Sequence, residues 1–380
     1  MSIVRVLLAL PAFLMALPAQ SAAQADDLAA LGRALFFDVR LSSRGSQSCA
    51  TCHDPATAFT DARDNGVNGA ASLGDDGMSL GNRNAPALTY AFLGPRFSTN
   101  AEGDYVGGFF LDGRAATLVE QAGEPITNPL EMGLPDARAV RERLLENEAY
   151  VGAFENLMGP QALASAAAAL GSVAVAISAF ESTAEFASFD SRYDRYLRGE
   201  LELTVAEELG RRLFFSELIN CSRCHLGDRR EGMPGELFTN HTYKNIGVPA
   251  NESLREGAGA GRPEPDAGLL QNPRVDGAVH AGRFRVPSLR NVAVTPPYMH
   301  NGVFADLATA VHFYNQFVVN NADSGLNPET GAPWGPAEVP ASVDTELLQM
   351  GQPLSAVHVG YLVAFMEALT DQRYEHLIRR

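Results

Sequence analysis

The run Leu-Gly-Arg-x-Leu-Phe-Phe occurs twice, at residues 31–37 and 209–215, and each time the chain continues into Cys-x-x-Cys-His. The first copy supplies Cys49, Cys52 and His53, the second Cys221, Cys224 and His225, and these are all four cysteines of the 380-residue chain. A repeat of this kind reads as an internal duplication in which each copy builds the same local unit. Apolar residues at helical spacing, Leu31 and Leu35 in one copy and Leu209 and Leu213 in the other, predict a helix that breaks into a short cysteine-bearing loop.

Three chemistries use Cys-x-x-Cys: a zinc site of four thiolates, a redox dithiol, and covalent haem attachment. Here each pair is followed directly by histidine and sits in its own copy of the repeat. That suits haem c, in which two thioethers fix the porphyrin and the adjacent imidazole becomes the proximal iron ligand. A dithiol oxidoreductase would want a βαβ setting, and strand-like alternation is scarce. His53 and His225 are therefore the expected iron ligands of two haem groups. The expected fold class is mainly α: two cytochrome c-like haem domains related by internal duplication, with long ordered loops. An Ala-rich stretch at 162–183 predicts a buried helix, and the charged stretch at 192–204 a seam dividing domains 26–195 and 196–380. Gly- and Pro-rich segments at 66–86, 246–282 and 320–342 read as the long loops.

The N-terminus carries Arg5, an apolar run over 6–17 and an A-x-A ending at Ala25. This is the pattern of a cleaved secretion signal over residues 1–25. The run is shorter than the roughly 18 residues of a membrane span, and no later stretch reaches that length. The expectation is a periplasmic protein without a membrane span. The formal charge of −16 disfavours nucleic acid and favours basic partners.

What each iron does depends on its sixth ligand, because a saturated iron carries electrons whereas an open one binds peroxide or oxygen. No histidine lies between His53 and His225. The first haem is thus expected to keep an open position, with Met78 as the local competitor. His241, His280, His312, His358 and His376 read as structural or surface residues.

With two Cys-x-x-Cys-His sites, the ordered set GNRNAPAL (81–88), FFLDGRAATLVEQAGEPITNPLEMG (109–133), FTNHTYKNIGVP (238–249), FRVPSLRNVAVTPPYMHNG (284–302) and LATAVHFYNQF (307–317) resembles the bacterial di-haem cytochrome c peroxidase family, in its MauG-like branch. The resemblance covers nearly all of the chain after residue 25. It implies that Glu131 lies over the open haem and handles protons, with Gln121 and Pro125 lining the distal pocket. It implies Tyr314 as the second haem's sixth ligand, where classical peroxidases of the family carry methionine and MauG-like members tyrosine, with Met299 as a rival. It implies one calcium ion between the domains, on the Asn84 side chain and the carbonyls of Thr295 and Pro297, and for His300 a contact between the haems or a structural place. A phenolate favours ferric and more oxidised iron, whereas a thioether raises the potential.

The chain departs from the family at FFLDGRA, where Leu111 stands in the place of a relay tryptophan. The single tryptophan is Trp334, and none precedes Cys221 closely. Leucine has no accessible oxidation, so charge would pass between the haems by tunnelling through packed side chains such as Phe110, or by way of Tyr105. The expected function is reduction of hydrogen peroxide at the His53 haem, with electrons from a small donor protein, a cytochrome c or cupredoxin. The alternatives are a MauG-like oxidase acting on a protein or organic substrate, and a di-haem electron carrier without catalysis.

Overall fold

Gly32 and Gly210 occupy the same place in the two sequence repeats, and each lies where two helices touch. The computed structural model describes residues 22–227, 233–258, 265–318 and 325–379. Its helices are α1 (Ala22–Phe36), α2 (Cys49–Cys52), α3 (Leu118–Thr127), α4 (Ala137–Leu145), α5 (Glu148–Met158), α6 (Ala166–Glu181), α7 (Arg192–Leu197), α8 (Val205–Phe214), α9 (Glu252–Ala258), α10 (Leu307–Phe313), α11 (Thr345–Leu348) and α12 (Ala356–Glu367). Strands are short: β1 (Ser98–Thr99) pairs antiparallel with β2 (Tyr105–Val106), and β3 (Tyr243–Lys244) with β4 (Phe284–Arg285). The mainly α expectation therefore holds. Among the described residues no helix is long and apolar enough to cross a membrane.

A Cβ at Gly32 of α1 would stand 1.8 Å from the carbonyl oxygen of Ala176 in α6, and a Cβ at Gly210 of α8 would stand 1.8 Å from that of Tyr361 in α12. Only glycine allows backbones this close. Around the first crossing Phe36, Phe59, Phe180 and Phe186 interlock, with Phe59 stacked on Phe186 at 4.2 Å. Around the second, Phe214, Phe238 and Phe365 interlock with Tyr193. Such aromatic contacts add about 0.5–1.5 kcal/mol per pair beyond the area they bury. In α8 the buried positions are Gly210 and Phe214 with Glu207, while Leu209 of the expected apolar stripe is exposed. Its counterpart Leu31 in α1, beside the same kind of glycine crossing, is buried.

The expected buried helix at 162–183 is α6, started by Ser165, whose hydroxyl accepts from the Ala168 N–H at 3.1 Å. It is central to the N-terminal cluster, packing on α1, α3 and α4. The charged stretch at 192–204 holds α7, whose Tyr193 packs into the C-terminal cluster and whose Asp194 pairs with Arg290 at 2.9 Å. Segment 66–86 is loop, but 246–282 contains α9, because Asn251 receives the Leu254 N–H and Leu254 buries against Val67, Ala70 and Leu80. Of the loop expected at 320–342, residues 320–324 lie outside the described residues. So does the expected signal up to residue 21; α1 begins at Ala22 and runs through the expected cleavage point at Ala25.

Candidate active site

Each Cys-x-x-Cys-His is one turn of helix closed on itself. In α2 the His53 N–H donates to the Cys49 carbonyl at 2.9 Å; in the 3-10 turn at Cys221–Arg223 the His225 N–H donates to Cys221 at 3.0 Å. The rings are then fixed from outside. His53 Nδ1 lies 3.1 Å from the carbonyl of Phe59, and His225 Nδ1 lies 3.0 Å from that of Phe238. An Nδ1–H donated to a carbonyl leaves Nε2 as the lone-pair nitrogen, the tautomer a metal needs. Phe59 and Phe238 are fully buried and have left-handed backbones (φ 58° and 54°), which turn their carbonyls towards the histidines. Burial also holds both imidazoles below the ordinary histidine value, so they are neutral.

The cysteines carry no disulfide. Burial pushes the Cys221 thiol up to about 12 and raises Cys49, Cys52 and Cys224 as well. A redox dithiol needs the opposite shift. Each pair, with its histidine, borders a cavity, about 430 Å³ at the first and about 410 Å³ at the second. Free thiols, a lone-pair nitrogen and space on the same wall fit covalent haem at both places.

The first cavity is also lined by Gln121, Pro125 and Glu131. Thr117 caps α3, and Pro125 within it gives no N–H to the Gln121 carbonyl four residues back. The helix stops at Asn128, whose carbonyl receives the N–H groups of Glu131 (3.0 Å) and Gly133 (2.9 Å, φ 68°). This turn aims Glu131 inward. Its carboxyl is raised above the ordinary value by burial, against the lowering pull of Arg114. Met78 is 74% exposed and does not line the cavity, so the competitor named from sequence is out of place: its loop is tied outward by Asp76, which accepts the Met78 N–H. The methionine that borders this cavity is Met132, packed into the apolar cluster.

The second cavity has a different character. Tyr314, at the end of α10, lines it together with Met299. Tyr314 is 38% exposed although deep in the protein, because its free surface faces the cavity. Burial raises its phenol far above the ordinary value. Asn84, Thr295 and Pro297 also border this cavity. The Asn84 amide nitrogen is 3.3 Å from the Gly69 carbonyl, which leaves its Oδ1 as the atom suited to a cation.

Leu111 lines both cavities and stands on the wall between them. Phe110 lines the first, whereas Tyr105 borders neither and stacks on Phe97 at 5.5 Å, so the route by way of Tyr105 loses its geometric basis. On the wall of the second cavity His300 stacks flat on Phe284 at 3.7 Å and faces Glu338 at 3.7 Å. Of the other histidines, His241 is buried on the second cavity's wall, His280 packs edge-on against Tyr105, His312 is half-buried, His358 caps α12 with Ser355, and His376 is exposed. Sequence reasoning missed the carbonyls of Phe59 and Phe238, although Phe-Thr recurs after both haem motifs. It also missed Arg285, shared by both cavities, and Glu181, a buried carboxyl on the first cavity whose Oε2 has no hydrogen-bond partner.

The family model for di-haem cytochrome c peroxidase matches residues 26–202. The methylamine utilization protein MauG of Paracoccus denitrificans is 50% identical over 361 residues, covering 95% of this chain and 93% of that protein. This chain belongs to the di-haem cytochrome c peroxidase family, in its MauG-like branch. Family members are oxidoreductases that carry two haems. The cytochrome c551 peroxidase of Nitrosomonas europaea is 31% identical over 296 residues, 77% of this chain and 74% of that one. The crystal structure of the di-haem peroxidase BthA from Burkholderia thailandensis matches with a TM-score of 0.81 at 32% identity, covering 93% of this chain and 88% of BthA.

Proposed function

We propose that this protein reduces hydrogen peroxide in the His53 cavity and exchanges single electrons through the His225 cavity. The observation that carries this reading is the asymmetry of the two sites: a raised carboxyl and an amide face the first, a phenol the second. Bound haem c supplies the redox-active iron that takes oxidising equivalents from peroxide and returns them one electron at a time. Overall, peroxide takes two electrons and two protons and gives two waters.

His53 and His225 would hold the irons through Nε2, and the carbonyls of Phe59 and Phe238 keep the rings oriented. Glu131 moves a proton from one peroxide oxygen to the other, the leaving one; its raised value brings it closer to the working pH and eases both halves of that transfer. The Gln121 amide orients the peroxide, and the Pro125 ring keeps the wall apolar. In the second cavity Tyr314 is a phenol held protonated by burial, and it would serve as a ligand of that haem as its anion. An anionic ligand there would favour the oxidised state and suit the site to storing oxidising equivalents.

The donor fitting a chain of charge −16 is a small basic redox protein, a cytochrome c or cupredoxin. A second reading, a MauG-like oxidase acting on a protein or organic substrate, is favoured by Tyr314 and by the likeness to MauG. Leu111 on the shared wall and Ile219 just before Cys221 weigh against it, since neither can carry a hole. Mixing holoprotein, peroxide and a reduced cytochrome separates the two. Two donor molecules oxidised per peroxide supports the peroxidase; no donor oxidation, with a protein substrate modified instead, supports the oxidase.

The matching glycine crossings, aromatic clusters and histidine–carbonyl pairs support a duplication into two cytochrome c-like domains. The packing of Tyr193 favours a seam just before α7, a few residues ahead of the boundary at 195. The N-terminal pattern supports export to the periplasm by a cleaved signal, and Asn84, Thr295 and Pro297 around one cavity support a calcium ion.

A further inference from the structure

Arg285 differs from the other interior arginines. Arg83 pairs with Asp112 at 2.6 Å and Asp266 at 2.7 Å, Arg290 with Asp194 at 2.9 Å, and Arg283 with Asp344 at 2.9 Å. Among the described residues Arg285 has no carboxylate at ion-pair distance. Its side-chain hydrogen bonds are long: Nε is 3.4 Å from the Phe110 carbonyl, and a terminal nitrogen 3.5 Å from His241 Nδ1. Asp266, an acid that also lines both cavities, is occupied by Arg83 through two bonds, and Asp112 by Arg83 and Arg114. A cation taken out of water without a counter-charge is destabilising. Burial accordingly pushes Arg285 below its ordinary value, while the carboxylates push Arg83 and Arg290 above theirs.

Its position is fixed by main chain. Arg285 pairs with Tyr243 across β3 and β4, and its N–H donates to the Leu111 carbonyl at 2.9 Å. It therefore stands beside Leu111 on the wall common to both cavities, and it lines each of them.

We propose that Arg285 is a shared carboxylate site, whose guanidinium takes one propionate carboxylate from the haem of each cavity. The inference rests on the two-haem reading. A guanidinium suits the task because its planar fork presents separate N–H edges, each able to bind a carboxylate. With its charge shared, Arg285 raises the reduction potential of both haems, because a fixed positive charge disfavours the ferric state. It also holds the two groups at a set spacing where no relay tryptophan stands.

The test uses Arg285→Met and Arg285→Lys holoproteins. Two haem additions per chain by mass spectrometry are checked first; fewer in the parent protein would defeat the two-haem reading itself. Midpoint potentials of both haems are then measured by spectroelectrochemical titration. Arg285→Met lowers both potentials and Arg285→Lys restores most of both shifts. Potentials unchanged at both haems would overturn the proposal, and a shift at one haem only would overturn its shared character. If Arg285→Met yields no holoprotein, Arg285→Gln, neutral and polar, is read on the same terms.

Discussion

Replacing Gly210 by alanine places a methyl group 1.8 Å from the Tyr361 carbonyl oxygen and 2.9 Å from Phe365 Cβ. Since real Cβ atoms stay beyond about 3.0 Å, α8 and α12 must part by at least about 1.2 Å, the difference between the two distances. The obstacle is backbone, so side-chain rotation cannot relieve it. Overpacking of this kind costs about 1–3 kcal/mol, and the upper part of that range applies here. At about 2–3 kcal/mol, a unit of this size loses about 4–12 °C in Tm. The movement also draws Phe214 away from Phe238, whose carbonyl holds His225. The assay is thermal unfolding of holoprotein followed at each haem by its own spectrum. Gly210→Ala should lower the transition and disturb the His225 haem, leaving the His53 haem as it was. Gly32→Ala should do the reverse through Ala176. Unchanged Tm and spectra in Gly210→Ala, or equal disturbance of both haems, would refute the argument that each crossing supports its own site.

Glu131→Gln should cut peroxide turnover by about 10²–10⁴-fold, the usual worth of a positioned acid–base group, with peroxide binding less affected; single-turnover kinetics separates the two. Loss in KM alone would assign Glu131 to binding. Tyr314→Met should raise the potential of the second haem and leave the first nearly unmoved, as read by potentiometry. Burial lifts Glu181 to about 8 from an ordinary 4.5. A raised folded value favours the protonated fold, so this contribution is complete below about 4.5 and is lost as pH climbs through about 8. Denaturant unfolding at several pH values should therefore show falling stability over that window, and Glu181→Gln should flatten it; a profile identical in both proteins would contradict the assignment.

Much of this was legible in the sequence because covalent attachment leaves a rigid signature. Cys-x-x-Cys-His fixes three chemical roles within five residues, and the repeated lead-in announces that the arrangement is made twice. Glu131, Gln121 and Tyr314 were readable only through resemblance, because a lone glutamate in a proline-flanked loop has no chemistry of its own until a cavity surrounds it. Met78 misled for the same reason: nearness in sequence to His53 says nothing of direction, and Asp76 turns that loop outward. Leu209 misled because the repeat buries its counterpart Leu31 but leaves Leu209 exposed, a difference the shared spacing does not carry. Arg285 was invisible because its distinction is the absence of a partner, which only packing reveals. The carbonyls of Phe59 and Phe238 lay within reach, since Phe-Thr recurs in both copies, but a main-chain acceptor carries no residue-type signal.

The central claim is that the two irons differ, one open to peroxide and one saturated by Tyr314. Low-temperature EPR of the fully oxidised holoprotein tests it directly, without knowledge of the donor. The account predicts one high-spin and one low-spin ferric signal of equal weight. Two low-spin signals with no high-spin component would mean that the His53 haem is capped, and would contradict it.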